Sequence, residues 1–227
     1  MIYYDLIRSN RKTIALYVRN DGKENYIEVR APLRMPKRDI DRFIASKERW
    51  ITDRMARLSE QSANRRLFSL DYGVLITYRG KQYPIAQKEG RSAGFDERFY
   101  MPPNLQSDQI KHTCVQIYRK LAKRDLTEKS FHYAKLLRVT PSAVRVNGAK
   151  TRWGSCSAKK SVNFSWRLIL ADDEVIDYVV VHELAHLIEM NHSERFWAIV
   201  RGVFPDYRER RKRLRELYKR LADEDWD

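Results

Sequence analysis

A chain of 227 residues with 43% hydrophobic and 11% aromatic content can bury a sizeable core, which excludes large-scale disorder. Two cysteines, Cys114 and Cys156, are too few for a disulfide scaffold, and no apolar run approaches the roughly 20 residues that cross a bilayer. Forty-five Lys and Arg against 30 Asp and Glu leave a formal charge of +15, a balance that suits polyanions and makes nucleic acid a candidate partner through the basic surface.

The N-terminus, Met-Ile-Tyr-Tyr-Asp, has no basic segment followed by an apolar stretch, so a cytoplasmic protein is expected. Ile14, Leu16 and Val18 alternate, Asp21-Gly22 marks a turn, and Ile27 with Val29 resumes the alternation, which predicts a β-hairpin. After Pro36 the spacing of Ile40, Phe43, Ile44, Ile51, Met55 and Leu58 predicts one helix. Residues 74–78, the Arg79-Gly80 turn and residues 81–86 predict a second hairpin, whose return strand Pro84 demotes to a sheet edge. Pro102-Pro103-Asn104 is the strongest linker signal. It divides the chain into a β-rich N-terminal lobe with one helix, residues 1–105, and a second domain, residues 106–227.

From about Ser107 to Leu137 the pattern is helical, and Thr140-Pro141 stops it. Residues 143–147 and 162–169 read as strands, with a polar turn region containing Gly154 and Cys156 between them. A second long helix runs from about Asp173 to Met190. Asn191 is expected as its left-handed terminator, and Ser193 as the cap of the next helix. Pro205-Asp206 opens a basic last helix, in which Leu214, Leu217, Tyr218 and Leu221 form a stripe among the cations.

Three of the five histidines fall within eleven residues. His182-Glu183-Leu-Ala-His186 lies in an apolar helical run. A step of four residues puts the two imidazoles one above the other, so both can reach a Zn²⁺ at about 2.0–2.1 Å. Glu183 borders that face and points beside the metal, where a general base is needed. A third ligand requires the chain to turn back, and His192, between Asn191 and Ser193, sits at the pivot. Glu194 or Glu209 is the alternative third ligand. One ion with an open position would activate water for attack on a carbonyl. Tyr178, Tyr207 and Arg152 are the candidate oxyanion or substrate contacts. Cys156, a thiol in a turn, is weighed as an inhibitory ligand against ordinary packing.

From Arg152 to about Arg213 the sequence resembles the YgjP-like metallopeptidases and, more distantly, the SprT-like zinc proteases. The residues that carry the resemblance are Arg152-Trp153-Gly154-Ser155-Cys156-Ser157, Asn163, Trp166-Arg167-Leu168-Ile169-Leu170 and Tyr178 through His186. Met190-Asn191-His192-Ser193, Phe196-Trp197 and Pro205-Asp206-Tyr207-Arg208 complete them. The resemblance implies an α+β fold with a minimal zincin-like catalytic domain, a small sheet plus an active-site helix, holding one zinc ion; it supports His192 as third ligand. In zincin-like sites an extended substrate adds to a sheet edge, and residues 162–169 are the expected place. The leading expectation is a zinc metallopeptidase acting on peptide or protein. The alternatives are a zinc hydrolase of another amide or ester, and a basic nucleic-acid-binding protein with a structural zinc site.

Overall fold

The computed structural model describes residues 2–21 and 24–226, which fold as two compact units. The first comprises the described residues up to Phe68 together with 222–225; the second comprises residues 69–221 with Trp226.

In the first unit, β1 (Asp5–Ser9), β2 (Ala15–Asn20) and β3 (Asn25–Pro32) form one sheet in the order β1-β3-β2. Antiparallel pairing of β2 with β3 sets Leu16 opposite Val29 and Val18 opposite Ile27, the expected hairpin. Gly22 of its turn lies outside the described residues. The parallel strand β1 was not anticipated, because all five of its residues are exposed and carry no buried alternation. The helical pattern after Pro36 resolves into two helices, α1 (Lys37–Ala45) and α2 (Glu48–Leu67). The break is a tight turn in which Ser46 N donates to Arg42 O and Lys47 N to Ile44 O. Ile40, Ile44 and Ile51 from both helices meet Ile27, Val29 and Ala31 of β3 in one core, which is why a single periodicity ran across the break.

In the second unit, β4 (Leu75–Tyr78), β5 (Lys81–Gln87), β6 (Gly94–Phe95) and β7 (Phe99–Met101) form a sheet in the order β4-β5-β7-β6. Pro84 does not make β5 an edge. It stands where the strand changes partners, from β4 through Pro84 to β7 from Ile85 onward, so a missing N–H is tolerated inside the sheet. This sheet packs within the unit of the long helix α3 (Ser107–Leu137): Phe99 meets Tyr118 edge-on, and Tyr118 OH donates to Thr77 O. The division between units therefore falls after Phe68, ahead of the Pro102-Pro103 linker signal.

Strands β8 (Ala143–Asn147), β9 (Gly154–Cys156) and β10 (Ser161–Ser165) form the second sheet of this unit, in the order β8-β10-β9. The strand expected over 162–169 ends at Ser165, and Trp166–Leu170 winds into a 3-10 helix whose five residues are all buried. Helix α4 (Asp173–Ala185) follows. The Asp172 side chain caps it by accepting from Val175 N at 3.0 Å. Val179, Val180 and Val181 are poor helix formers, but all three are buried, and packing overrides the preference. Helices α5 (Glu194–Val203) and α6 (Tyr207–Leu221) complete the chain.

Candidate metal centre

Helix α4 stops at Ala185, five residues before the expected Met190, and this early stop builds the site. Leu187 N donates to Leu184 O and Ile188 N to Ala185 O, tightening the last turn, while the His186 ring closes it through Nδ1 and Glu189 O at 3.1 Å. Because a carbonyl can only accept, His186 carries its proton on Nδ1 and presents a free lone pair on Nε2. Asn191 is not left-handed; its side chain instead accepts from Ser193 N at 3.1 Å. Ser193 then caps α5 by accepting from Phe196 N, as expected.

This turn carries His192 back over α4. One nitrogen from each of His182, His186 and His192 lies within 4.8 Å of the others. Nε2 of His182 and Nε2 of His192 are 3.1 Å apart. Two nitrogens bound tetrahedrally at about 2.0–2.1 Å would stand roughly 3.3 Å apart, so the spacing fits a single shared ion. Neither Glu194 nor Glu209 joins the converging group among the described residues.

Aromatic rings hold the imidazoles in place. Phe196, fully buried, lies 4.9, 4.5 and 4.7 Å from the rings of His182, His186 and His192. Trp197 stacks on His192, Tyr207 stacks on Trp197, and the Arg211 guanidinium sits 5.6 Å from the Trp197 ring centre. Burial, reinforced by the neighbouring histidines and Arg211, pushes the His182 imidazole down to about 3, and the same forces lower His192. Both rings are thereby kept neutral, the form that donates a lone pair to a metal. The cost is visible at His182 Nδ1, which is buried without a hydrogen-bond partner among the described residues.

Glu183 is 6% exposed and lies against β9. A Cβ added to Gly154 would stand 2.6 Å from both Cγ and Oε1 of Glu183, so only glycine admits the carboxylate here. Burial pushes this carboxyl up to about 7, with Arg152 pulling the other way. A group that gains and loses a proton near neutrality has the affinity that general acid–base work requires.

The three contact candidates separate in space. Tyr178 lines a cavity of about 560 Å³ together with His182 and Glu183, and burial raises its pKa so that it remains a phenol. Tyr207 is buried behind Trp197 and does not line the cavity, and Arg152 reaches Glu183 by its charge. Cys156 is outside the converging group, and burial with the Glu183 charge raises its thiol pKa, which opposes a thiolate ligand. The remaining walls come from Trp153 and from Arg211, Leu214, Arg215, Tyr218 and Lys219 of α6. Tyr218 belongs both to the stripe of that helix and to the cavity wall, and the sequence signal for the cations beside it is the spacing of Arg211, Arg215 and Lys219 by four.

Strand β10 is paired on both sides, with β8 and with β9, so it offers no free edge for an extended ligand. The expectation for residues 162–169 is corrected accordingly. The edge strand against α4 is β9, too short and polar to announce itself in sequence.

A family model for the YgjP-like metallopeptidase domain matches residues 12–217. No curated protein matches the chain. Among solved structures, the chain is similar to the metallopeptidase zymogen abylysin of Pyrococcus abyssi, at 26% identity and a TM-score of 0.38, over 40% of this chain and 92% of that one. It is also similar to the metallopeptidase zymogen jannalysin of Methanocaldococcus jannaschii, at 22% identity and a TM-score of 0.37, over 43% of this chain and 97% of that one.

Proposed function

The chain belongs to the YgjP-like metallopeptidase family, and from that premise we propose that it is a zinc peptidase in which His182, His186 and His192 hold one ion and Glu183 is the general base. The observation that carries the proposal is the convergence of three imidazole nitrogens on one point beside a buried carboxylate with no hydrogen-bond partner among the described residues. Zinc, when bound, supplies a Lewis acid that polarises a carbonyl and lowers the pKa of water toward neutrality. Glu183 accepts the proton of the attacking water and returns it to the leaving amine, a cycle suited to a carboxyl lifted by burial toward neutral pH. Gly154, with no Cβ, leaves the space on the β9 side that this carboxylate occupies. Tyr178 is the favoured donor to the developing oxyanion, because it lines the same cavity as His182 and Glu183 and keeps its proton.

A structural zinc site would need a fourth protein ligand, and the converging group holds three among the described residues. No helix among the described residues is long and apolar enough to cross a membrane. Both cysteines are free thiols, which suits a cytoplasmic setting.

Elemental analysis together with peptide hydrolysis tests the assignment. Glu183→Gln should keep about one zinc per chain while turnover falls by roughly 10²–10⁴-fold. His186→Ala should lose the metal and all turnover. Undiminished hydrolysis by Glu183→Gln removes the proposed base, and a full zinc complement in His186→Ala contradicts the ligand set.

A further inference from the structure

Helix α6 carries its cations on two distinct faces. Arg210 donates to Asp206 and to Glu174 O, and Arg213 binds both Asp172 and Glu174 at 2.5 Å. These two positions tie α6 to the start of α4. Arg211, Arg215 and Lys219, each four residues after the last, share the other face and line the cavity beside His182 and Glu183. No carboxylate pairs with any of the three among the described residues; Arg211 has only the Trp197 ring. Glu183 is the one acid among the described residues in that wall, and Trp153 and Tyr218, edge to face at 6.4 Å, supply aromatic surface beside the cations.

Three unpaired cations along one wall of a concave site are costly to leave unmatched, because their mutual repulsion is relieved only by a counter-charge. Carboxylates recognised by arginine and lysine beside aromatic surface meet that need. We propose that this cavity is the specificity subsite of the peptidase, taking a carboxylate of the substrate, either an Asp or Glu side chain near the scissile bond or the peptide's own C-terminal carboxylate. The proposal rests on the peptidase reading, since it makes the cavity continuous with the reacting centre. Acidic peptide is favoured over nucleic acid because His182 and Glu183 form part of the same wall and the family acts on peptide bonds.

Binding separates the subsite from the chemistry. Fluorescence anisotropy on the Glu183→Gln protein would compare capped peptides that differ only in Asp-Glu against Asn-Gln, and a neutral peptide with a free against an amidated C-terminus. A preference of about tenfold for one carboxylate source is expected, as two or three partly exposed charge pairs would give. Arg215→Glu with Lys219→Glu in that background should abolish the preference. The same double reversal at Lys120 and Lys123, exposed on α3 and outside this cavity, should leave it intact.

Equal binding of acidic and neutral peptides overturns the subsite. So does a preference lost equally in the Lys120 and Lys123 control, which would mark a diffuse field. Binding of a short single-stranded oligonucleotide that depends on Arg215 and Lys219, without discrimination among peptides, assigns the wall to phosphate instead. Carboxylate preference in a wild-type enzyme that cleaves nothing would sink the peptidase reading and leave the subsite standing; equal binding in an enzyme that cleaves would do the reverse.

Discussion

Two carboxylates in the same unit, Asp125 and Glu183, are 4% and 6% exposed, yet they live in opposite surroundings. Asp125 is fully engaged: Tyr78 OH donates to one oxygen at 2.5 Å and Arg124 Nε to the other at 2.7 Å. Burial and this bond push the Tyr78 hydroxyl up to about 12, locking it as a donor. Glu183 accepts no such bond among the described residues and lies against a glycine. Burial alone therefore does not distinguish a working carboxylate from a structural one; burial without partners does. Helix α6 repeats the contrast in cations, Arg213 being clamped and Arg215 without a carboxylate partner among the described residues.

The contrast breaks most directly at Gly154. In Gly154→Ala the new Cβ forces the Glu183 side chain to move, and a displacement near 1 Å in a reacting group costs about 10²-fold in rate. The expected result is a kcat lower by about that factor with zinc content and thermal midpoint close to wild type. An unchanged kcat would mean that the position of Glu183 is not set by β9.

The complementary substitution is Asp125→Ala. It takes away the acceptor of the buried Tyr78 hydroxyl, which keeps only the Arg124 Nη2 donor, and removes two charge-assisted bonds, one of them to the largely exposed Arg124, so about 2 kcal/mol of stability should be lost. Urea unfolding would show the loss, while hydrolysis by the folded fraction should match wild type. If activity fell and stability held, the roles given to the two carboxylates would be exchanged.

How much of this was legible in sequence follows the same division between regular pattern and particular contact. The His182-Glu183-x-x-His186 spacing, the span of α3 and the Ser193 cap follow from helical periodicity and capping chemistry, which are local. Convergence of His192 could be anticipated as a need but not as a geometry, because the turn that delivers it is closed by the His186 ring on Glu189 O rather than by a left-handed Asn191. Strand β9 and the clearance at Gly154 depend on which element packs against α4, which no local pattern encodes. The exposed strand β1 and the partner exchange at Pro84 were hidden for a related reason, since pairing across a sheet is decided by distant residues.

The smallest expected effect lies at the clamped end of the comparison, where Asp172 both caps α4 and binds Arg213. Burial alone would raise its pKa, but the Arg213 hydrogen bond and the Val175 N–H outweigh it and hold the carboxyl below its usual range. A lowered folded-state pKa means a stabilising contribution that is complete above the unfolded value of about 3.9 and lost as pH falls through the folded one. Asp172→Asn keeps an oxygen for the cap and loses only the charge, so it isolates the ion pair. With both partners about one-third exposed, the gap from wild type at pH 7 should be under about 1 kcal/mol. It should shrink toward zero as pH is lowered through the acidic range in which both proteins remain folded. A gap that stays constant with pH would show that the carboxylate acts through shape alone, and the pairing that separates Arg213 from Arg215 would then have no energetic meaning.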